Sequence, residues 1–373
     1  MRAAWVEVNL ANLRLNVQYF RSAVGPDCEI YAVVKGNGYG HGAVTVSRAA
    51  LEAGATGFAV AMSSEARELR EAGLQTPILI MGESSPDEAT EILEIGATPA
   101  LATPEVARAL SSAAATMDRV AEAHLKIDSG MGRQGIRWDE IDGLIQVIAG
   151  LGNLRISGLF THFAVAESDA EFTRWQHDNF LAACEKVEAV LGPIPYRHCA
   201  NTAAAILYPD MRHSMVRLGI GWCGLNPGVP AERWPRLQPT LSLRAKVVLT
   251  KTVHAGDSVG YGRTWRAERD TRIALLPLGY CDGYPRALSD NADVLVHGIR
   301  CPVVGRISMD ATLVDVTQAG DVQVGDEAVL IGRQGQEEIR VEEIAERAGT
   351  IVQNIVSTLS VRLPRVYVDR PQS

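Results

Sequence analysis

The sequence predicts an α/β plus β fold: an N-terminal (β/α)8 barrel followed by a C-terminal, mostly antiparallel β domain. Three observations carry this expectation. Eight short strand-like runs precede residue 225, and most alternate with helical stretches. The runs are continuously apolar, as parallel strands covered on both faces must be. After LNPGVPAERWP the texture changes to short β-rich runs separated by Gly and Asp turns. An open doubly wound sheet is the alternative arrangement for the first unit.

The elements follow in order. The initial AWVEVN can add a strand to either unit. Asn9 then caps a helix in which Leu10, Leu13, Val17, Phe20 and Val24 recur at helical spacing. CEIYAVVKGNGYG is a β-rich run feeding a glycine-rich turn. Helical stretches end at Gly54, Gly73 and Gly96, where glycine supplies the left-handed closing residue, and GFAVAMS, TPILIMG and TPALAT follow as buried strands. Ser85-Pro86-Asp87-Glu88 has the pattern of a capping box with proline at the first helical position, and Thr103-Pro104 offers a similar start. AEAHLKID, RISGLFTHF, PYRHCAN and MVRLGIGW complete the eight. The second unit contains LSLRAKVVLTKTV, ALLPLG, VLVHG, CPVVGRI, ATLVDV and GDEAVLIG, with a late acidic helix around EEIAERAG. The expected organisation is residues 1–9 as a strand able to join the C-terminal unit, 10–232 as the barrel, and 233–373 as the β domain.

A 47% hydrophobic, 21% charged composition supplies a core and excludes disorder, a fibrous repeat and a disulfide-stapled miniprotein. Forty-four acidic residues against 36 Lys plus Arg give a net charge of -8, which argues against broad nucleic-acid binding. The first residues lack a secretory apolar segment and no stretch is long enough to span a bilayer, so a cytoplasmic protein without a membrane partner is expected. Cys28, Cys184, Cys199, Cys223, Cys281 and Cys301 form no CxxC pair. They read as ordinary reduced thiols, and no metal is expected.

A barrel gathers its chemistry at the C-terminal ends of its strands. Polar motifs fall there repeatedly: Lys35 and Tyr39 after the first strand, Lys126 to Arg133 after the fifth, His162 after the sixth, Asn201 and Thr202 after the seventh, and Arg217 to Ile220 at the eighth. One such coincidence is weak, but five around one rim imply a composite pocket. Lys35 is one of only five lysines and follows the apolar run IYAVV. Burial lowers an amine's pKa and permits Schiff-base formation with an aldehyde; taken alone, a structural or surface lysine is the plainer reading.

AVVKGNGYGHG, from Ala32 to Gly42, resembles the cofactor-lysine signature of alanine racemases, pyridoxal-phosphate enzymes with a barrel and a C-terminal β domain. KIDSGMGRQG, THFAVAESD, HCANTAA, MVRLGIGWCGL, VGYGRTW, GYCDGYPR and GRISMD follow in corresponding order and span essentially the whole chain.

The resemblance implies that Lys35 binds pyridoxal 5'-phosphate through a Schiff base and transfers a proton on one face of the substrate. Tyr261, in VGYGRTW, is implied as the second proton-transfer group, reaching the site from the other subunit of an obligate homodimer. A free tyrosine has a pKa of about 10, so this role requires positive neighbours. Arg217 is implied as the donor to the pyridine nitrogen, and His162 as the link between Arg217 and Tyr261. His41 is expected to support the glycine turn. Tyr39, Thr202 and the backbone N–H groups of Gly219 and Ile220 are implied phosphate donors, with Asn201 organising that loop; Thr202 stands where a serine is usual. Arg133 is the implied substrate-carboxylate anchor, assisted by the Met309 N–H of the partner. Lys126 resembles a lysine that many relatives carbamylate, and without modification it would oppose Arg133 unfavourably.

Tyr280, Asp282, Tyr284 and Asp310 are expected around the access route, with Tyr284 lining it. Turn support is a nearly equal reading for Asp282 and Arg286. The sequence departs from the family pattern at Val361, where many relatives place a phosphate-directed tyrosine. Val361 is expected as a β-strand core residue; a roomier pocket with changed cofactor affinity or broader substrate range is the other reading. The leading expectation is therefore an alanine racemase that supplies D-alanine for cell walls. The alternatives are a serine or broader-specificity racemase, a decarboxylase on the same barrel, and a non-enzymatic pyridoxal-phosphate carrier.

Overall fold

The computed structural model describes residues 2–370. Eight parallel strands form the first sheet in the order 215–218, 29–33, 57–60, 78–83, 98–101, 121–128, 154–160 and 196–198, and a two-residue strand at 136–137 pairs beside 121–128. The two ends of this path meet where Arg217 N–H donates to Ala200 O at 3.0 Å. The sheet therefore curls into the expected barrel and not into an open doubly wound sheet.

Helices alternate with these strands and pack their apolar faces on the outside, as Leu13, Val17 and Phe20 do from the helix Leu10–Val24. Asn9 caps that helix through its side chain, and the capping box at Ser85 is formed by both of its reciprocal bonds. Gly54, Gly73 and Gly96 all have positive φ, which explains why glycine stands at these helix exits.

The barrel interior has its own core, separate from the sheet–helix layer: Tyr31, Val33, Ala59, Leu79 and Met215. Two interior glycines make room for rings. A Cβ on Gly57 would lie 2.6 Å from the Tyr31 ring, and one on Gly158 would lie 2.6 Å from the His124 imidazole. The interior is thus filled by large side chains laid over bare backbone, which places a histidine at its centre.

The second unit is built on a sheet in which Ala4–Asn9 pairs antiparallel with Leu241–Lys246 and parallel with Arg365–Val368. The opening strand therefore lies in the C-terminal sheet and leads directly into the first barrel helix. This ties the two units together at the chain's start. A three-stranded antiparallel sheet, 249–253 with 271–276 and 312–315, extends the same unit. The late acidic helix spans Val341–Ala348.

Candidate active site

Lys35 follows the strand Glu29–Val33 and opens a turn with unusual backbone. Gly36, Asn37, Gly38, Tyr39 and Gly40 all have φ between 51° and 79°, a left-handed run that costs an ordinary L-residue about 1–2 kcal/mol. Glycine at three of the five positions removes much of that cost. Space imposes a second demand: a Cβ on Gly40 would lie 2.0 Å from Val356 O, and one on Gly42 would lie 2.0 Å from Tyr367 Oη. The turn is held by Glu65, whose carboxylate accepts from Gly36 N–H at 2.6 Å and Ala61 N–H at 2.7 Å, and by Arg365, which donates to Gly40 O at 2.9 Å. Buried His41 contacts Tyr39 O and Thr240 Oγ1 at 2.9 Å each. Desolvation lowers its pKa to about 4, which keeps it a neutral loop support.

This turn forms one wall of a cavity of about 770 Å³. Lys35, Tyr39, Arg133, His162, Asn201, Thr202, Arg217, Gly219 and Ile220 all line it, together with Glu65 and Glu167. Five strand ends that are distant in sequence thus meet at one rim. Asp128 aims the Arg133 loop by accepting from the N–H groups of Gly130, Met131 and Gly132 at 2.9–3.1 Å. Ile351, Gln353 and Ser357 of the C-terminal unit close the other side.

The cavity is cationic. Burial lowers the Lys35 pKa first, and Arg133 and Arg217 lower it further against an opposing Glu65. Lys126 is buried just beneath, donating to Met81 O at 2.8 Å and Gln134 Oε1 at 2.7 Å. Desolvation and then Arg133 and Arg217 bring its pKa down to about 8. His162 is held neutral by burial and by the same cations.

Arg217 is wholly buried, and burial lowers even its pKa to about 10. Nη1 meets His198 Nδ1 at 2.7 Å and His198 O at 3.1 Å. Nη2 meets Thr161 O at 2.7 Å, Cys199 O at 3.2 Å and His162 Nδ1 at 3.3 Å. A guanidinium has only donors, so both histidine Nδ1 atoms must accept. Neutral His198 then carries its proton on Nε2 and donates it to His124 Nδ1 at 2.9 Å. Phe160 stacks on His198 at 4.9 Å and lies beneath both Arg217 and Lys126 at about 5.5 Å. His124, His198, Phe160 and Glu65 were not singled out in the sequence. The alternation of inward side chains along AEAHLKID and PYRHCAN is the signal that points to the two histidines.

Thr202 sits at the first position of a short helix capped by Asn201, whose side chain accepts from Ala204 N–H. Its hydroxyl accepts from Gly219 N–H at 3.2 Å and Gly221 N–H at 3.3 Å. Its methyl occupies space that only a glycine at 221 leaves open, since a Cβ there would lie 2.5 Å from it. Thr in place of Ser is thereby accommodated. A Cβ on Gly219 would likewise come within 2.7 Å of Tyr39 Oη, so bare backbone and two hydroxyls face one pocket end. A depressed amine, a buried guanidinium and this small polar cradle fit a phosphorylated pyridine aldehyde.

Other sequence-selected residues lie elsewhere. Tyr261 is 71% exposed and Met309 52% exposed, and neither lines the cavity of its own chain. Asp310 pairs with Arg362 at 2.7 Å. Tyr284 does not line an access route: it is 1% exposed and packed in the core, while Tyr280, four residues earlier, is exposed. The turn between them reverses which residues face inward, with Gly283 at φ 94°. Asp282 is also buried away from solvent, where it receives Arg2 at 2.6 and 2.8 Å and caps Gly279 N–H, a structural anchor. Val361 is not a core strand residue. It is 84% exposed in a turn ahead of the Arg365–Val368 strand, because the chain reverses at Ser360.

Residues 8–227 match the family model for the alanine racemase N-terminal domain, and residues 240–367 match that for the alanine racemase C-terminal domain. An alanine racemase of Desulforamulus reducens is 44% identical over 368 residues, covering 98% of each chain. The crystal structure of alanine racemase from Bacillus anthracis with bound L-Ala-P superposes with a TM-score of 0.93 at 37% identity, covering 99% of this chain and 95% of that one. A histidine racemase from Leuconostoc mesenteroides superposes at 0.89 with 31% identity, covering 99% and 98%. On its full-length match in both sequence and fold, this chain belongs to the alanine racemase family.

Proposed function

We propose that the protein is a pyridoxal-phosphate-dependent alanine racemase that interconverts L- and D-alanine in homodimers with composite sites. The observation that carries this reading is the convergence of Lys35, Arg133 and Arg217 on one cavity that also presents the hydroxyls of Tyr39 and Thr202. Bound pyridoxal phosphate supplies an aldehyde for amine attachment and a π-system that accepts the electron pair left by a departing α-proton.

Lys35 Nζ is the attachment amine, and its lowered pKa increases the unprotonated, nucleophilic fraction. The same nitrogen takes or returns an α-proton on one face. Arg217 spends its terminal N–H groups on protein acceptors, so its Nε–H is the donor left for a ring nitrogen. A guanidinium does not surrender that proton, so Arg217 would hold a bound ring nitrogen by a hydrogen bond without protonating it. Racemisation then depends on two well-placed bases.

The second base is Tyr261 of the partner subunit. Its exposure, and its absence from its own chain's cavity, suit a role across a subunit contact, as does the exposed Met309 whose N–H assists Arg133 at the substrate carboxylate. His162 orients the tyrosine from Arg217. Tyr39, Thr202 and Ile220 N–H hold the phosphate; Gly219 N–H already donates to Thr202 and is the weaker candidate. The neutral Lys126 amine adds dissolved carbon dioxide and releases its proton to water, becoming a carbamate that receives Arg133 and exchanging a buried cation for an anion. Its pKa of about 8 leaves about a tenth of the amine neutral and reactive at pH 7. The D-alanine formed serves cell-wall synthesis in the cytoplasm.

A second reading, a broader amino-acid racemase, draws on the histidine racemase fold match. Initial rates with L-alanine, L-serine and L-histidine, followed by chiral product analysis in deuterium oxide, separate the two. The account expects fastest inversion with alanine, with deuterium at the α-carbon and no carbon dioxide released. Equal or faster rates with another amino acid overturn the alanine assignment, and carbon dioxide release overturns racemisation.

A further inference from the structure

Behind the pocket, on the outer side of the barrel wall, three metal-ligating side chains from separate elements converge. His177 lies on the helix Ala170–Leu191, Cys199 follows the strand Tyr196–His198, and His213 precedes the strand Met215–Leu218. Their ligating atoms all lie within 4.8 Å of one another, and the two Nε2 atoms are 2.8 Å apart. Adjacent strand residues face opposite sides, so His198 points inward to Arg217 while Cys199 points outward to this cluster.

We propose that His177, Cys199 and His213 form a binding site for a borderline-soft divalent cation, of which zinc is the type. Zinc takes imidazole nitrogen at about 2.0–2.1 Å and thiolate sulfur at about 2.3 Å, which sets ligand atoms about 3.3–3.7 Å apart. Reaching that geometry asks the imidazoles to part by about half an ångström and the sulfur to close by at most about one. Three protein ligands leave a fourth position for water, and the half-buried imidazoles keep one side of the cluster near solvent.

The hydrogen-bonding geometry suits ligation. The two imidazole Nε2 atoms face each other at 2.8 Å, so at least one of them already presents a lone pair towards the cluster. Without a cation the pair satisfies one hydrogen bond between two nitrogens that face each other. The Cys199 thiol donates to Met211 O at 3.0 Å, and burial holds its pKa above the ordinary thiol range. Cation binding replaces the S–H bond with a metal–sulfur bond, and the released proton passes to water. The resulting thiolate is compensated by the cation and by neighbouring Arg217. The site would clip a long barrel helix to the ends of two strands. The expectation of ordinary thiols arose because no two of these ligands are close in sequence.

The test titrates cobalt(II) into metal-stripped, cofactor-loaded protein. The proposal expects sulfur-to-cobalt charge-transfer absorption saturating at one equivalent per chain, reversed by zinc, and a higher melting temperature with zinc. Cys199→Ser should abolish the charge-transfer band. His177→Gln, on the half-buried helix face, should keep the fold and weaken cobalt binding at least about tenfold, equivalent to about 1.4 kcal/mol. Absence of the band in the unsubstituted protein overturns the proposal. So does a band that persists in Cys199→Ser, or affinity unchanged in His177→Gln.

Discussion

Arg217 donates through Nη1 to His198 Nδ1 at 2.7 Å, and this contact sets the proton positions beneath the pocket. The guanidinium has no acceptor, so His198 is locked in the tautomer that donates onward to His124. All three groups are buried, and desolvation keeps both histidines neutral. A positive charge is thereby presented to the cavity from a rigid support that bonds both terminal nitrogens of Arg217.

His198→Phe removes the side-chain acceptor from a buried cation and leaves Nη1 only the backbone oxygen of residue 198. Leaving such a group short of a partner costs about 1–3 kcal/mol or more, so urea unfolding of cofactor-free protein should move to lower denaturant by that amount. His198→Asn restores an acceptor and should recover part of the loss. Unchanged stability in both variants would mean that the contact does not hold Arg217.

Thr202 is tested by two neighbours of different chemistry. Thr202→Val keeps the methyl but removes the acceptor of two N–H groups, and should weaken cofactor binding at least about tenfold by equilibrium dialysis. Thr202→Ser keeps the hydroxyl and should stay within about threefold of the parent. Equal effects would show that shape, not hydrogen bonding, governs the cradle.

Lys126 gives a pH-dependent expectation. Burial and the two arginines lower its pKa to about 8, so the neutral amine fraction rises from about a tenth at pH 7 to about half at pH 8. At a fixed concentration of dissolved carbon dioxide, native mass spectrometry should find one carbon dioxide adduct, formed faster as pH rises through 8 and levelling above it. Lys126→Met should lack the adduct. An adduct rate flat between pH 7 and 9 would contradict the assigned amine chemistry.

The composite site predicts complementation. Lys35→Ala and Tyr261→Phe homodimers should each be nearly inactive. Unfolded together and refolded at equal amounts, about half the dimers are mixed, and one of their two sites carries neither substitution. About a quarter of parental activity should return. No recovery, with mixed dimers demonstrated by mass, would place both residues in one chain's site.

Much of this was legible in the sequence because strand ends and turns leave local marks. Lys35, Arg133, His162 and Arg217 each end or follow an apolar run, and barrel geometry brings such positions to one rim. Capping at Asn9 and Ser85 was readable for the same local reason. What was hidden depends on contacts across long separations. The His124–His198 bond joins residues 74 positions apart, and Glu65 reaches back to Gly36 from the helix Ser63–Glu71. Tyr284 is buried where an access-route position was expected, because a glycine turn has no period from which to read sidedness. Val361 lies in a sequence that reads as strand, yet Leu363 N–H donates to Ser360 O at 3.1 Å and closes a turn there.

Borohydride reduction of cofactor-loaded protein, followed by peptide mapping, tests the role of Lys35 most directly. The account predicts one stoichiometric pyridoxyl-phosphate adduct on the peptide carrying Lys35, and no adduct or racemisation in Lys35→Ala. An adduct on a different lysine, with Lys35→Ala still inverting alanine, would contradict it.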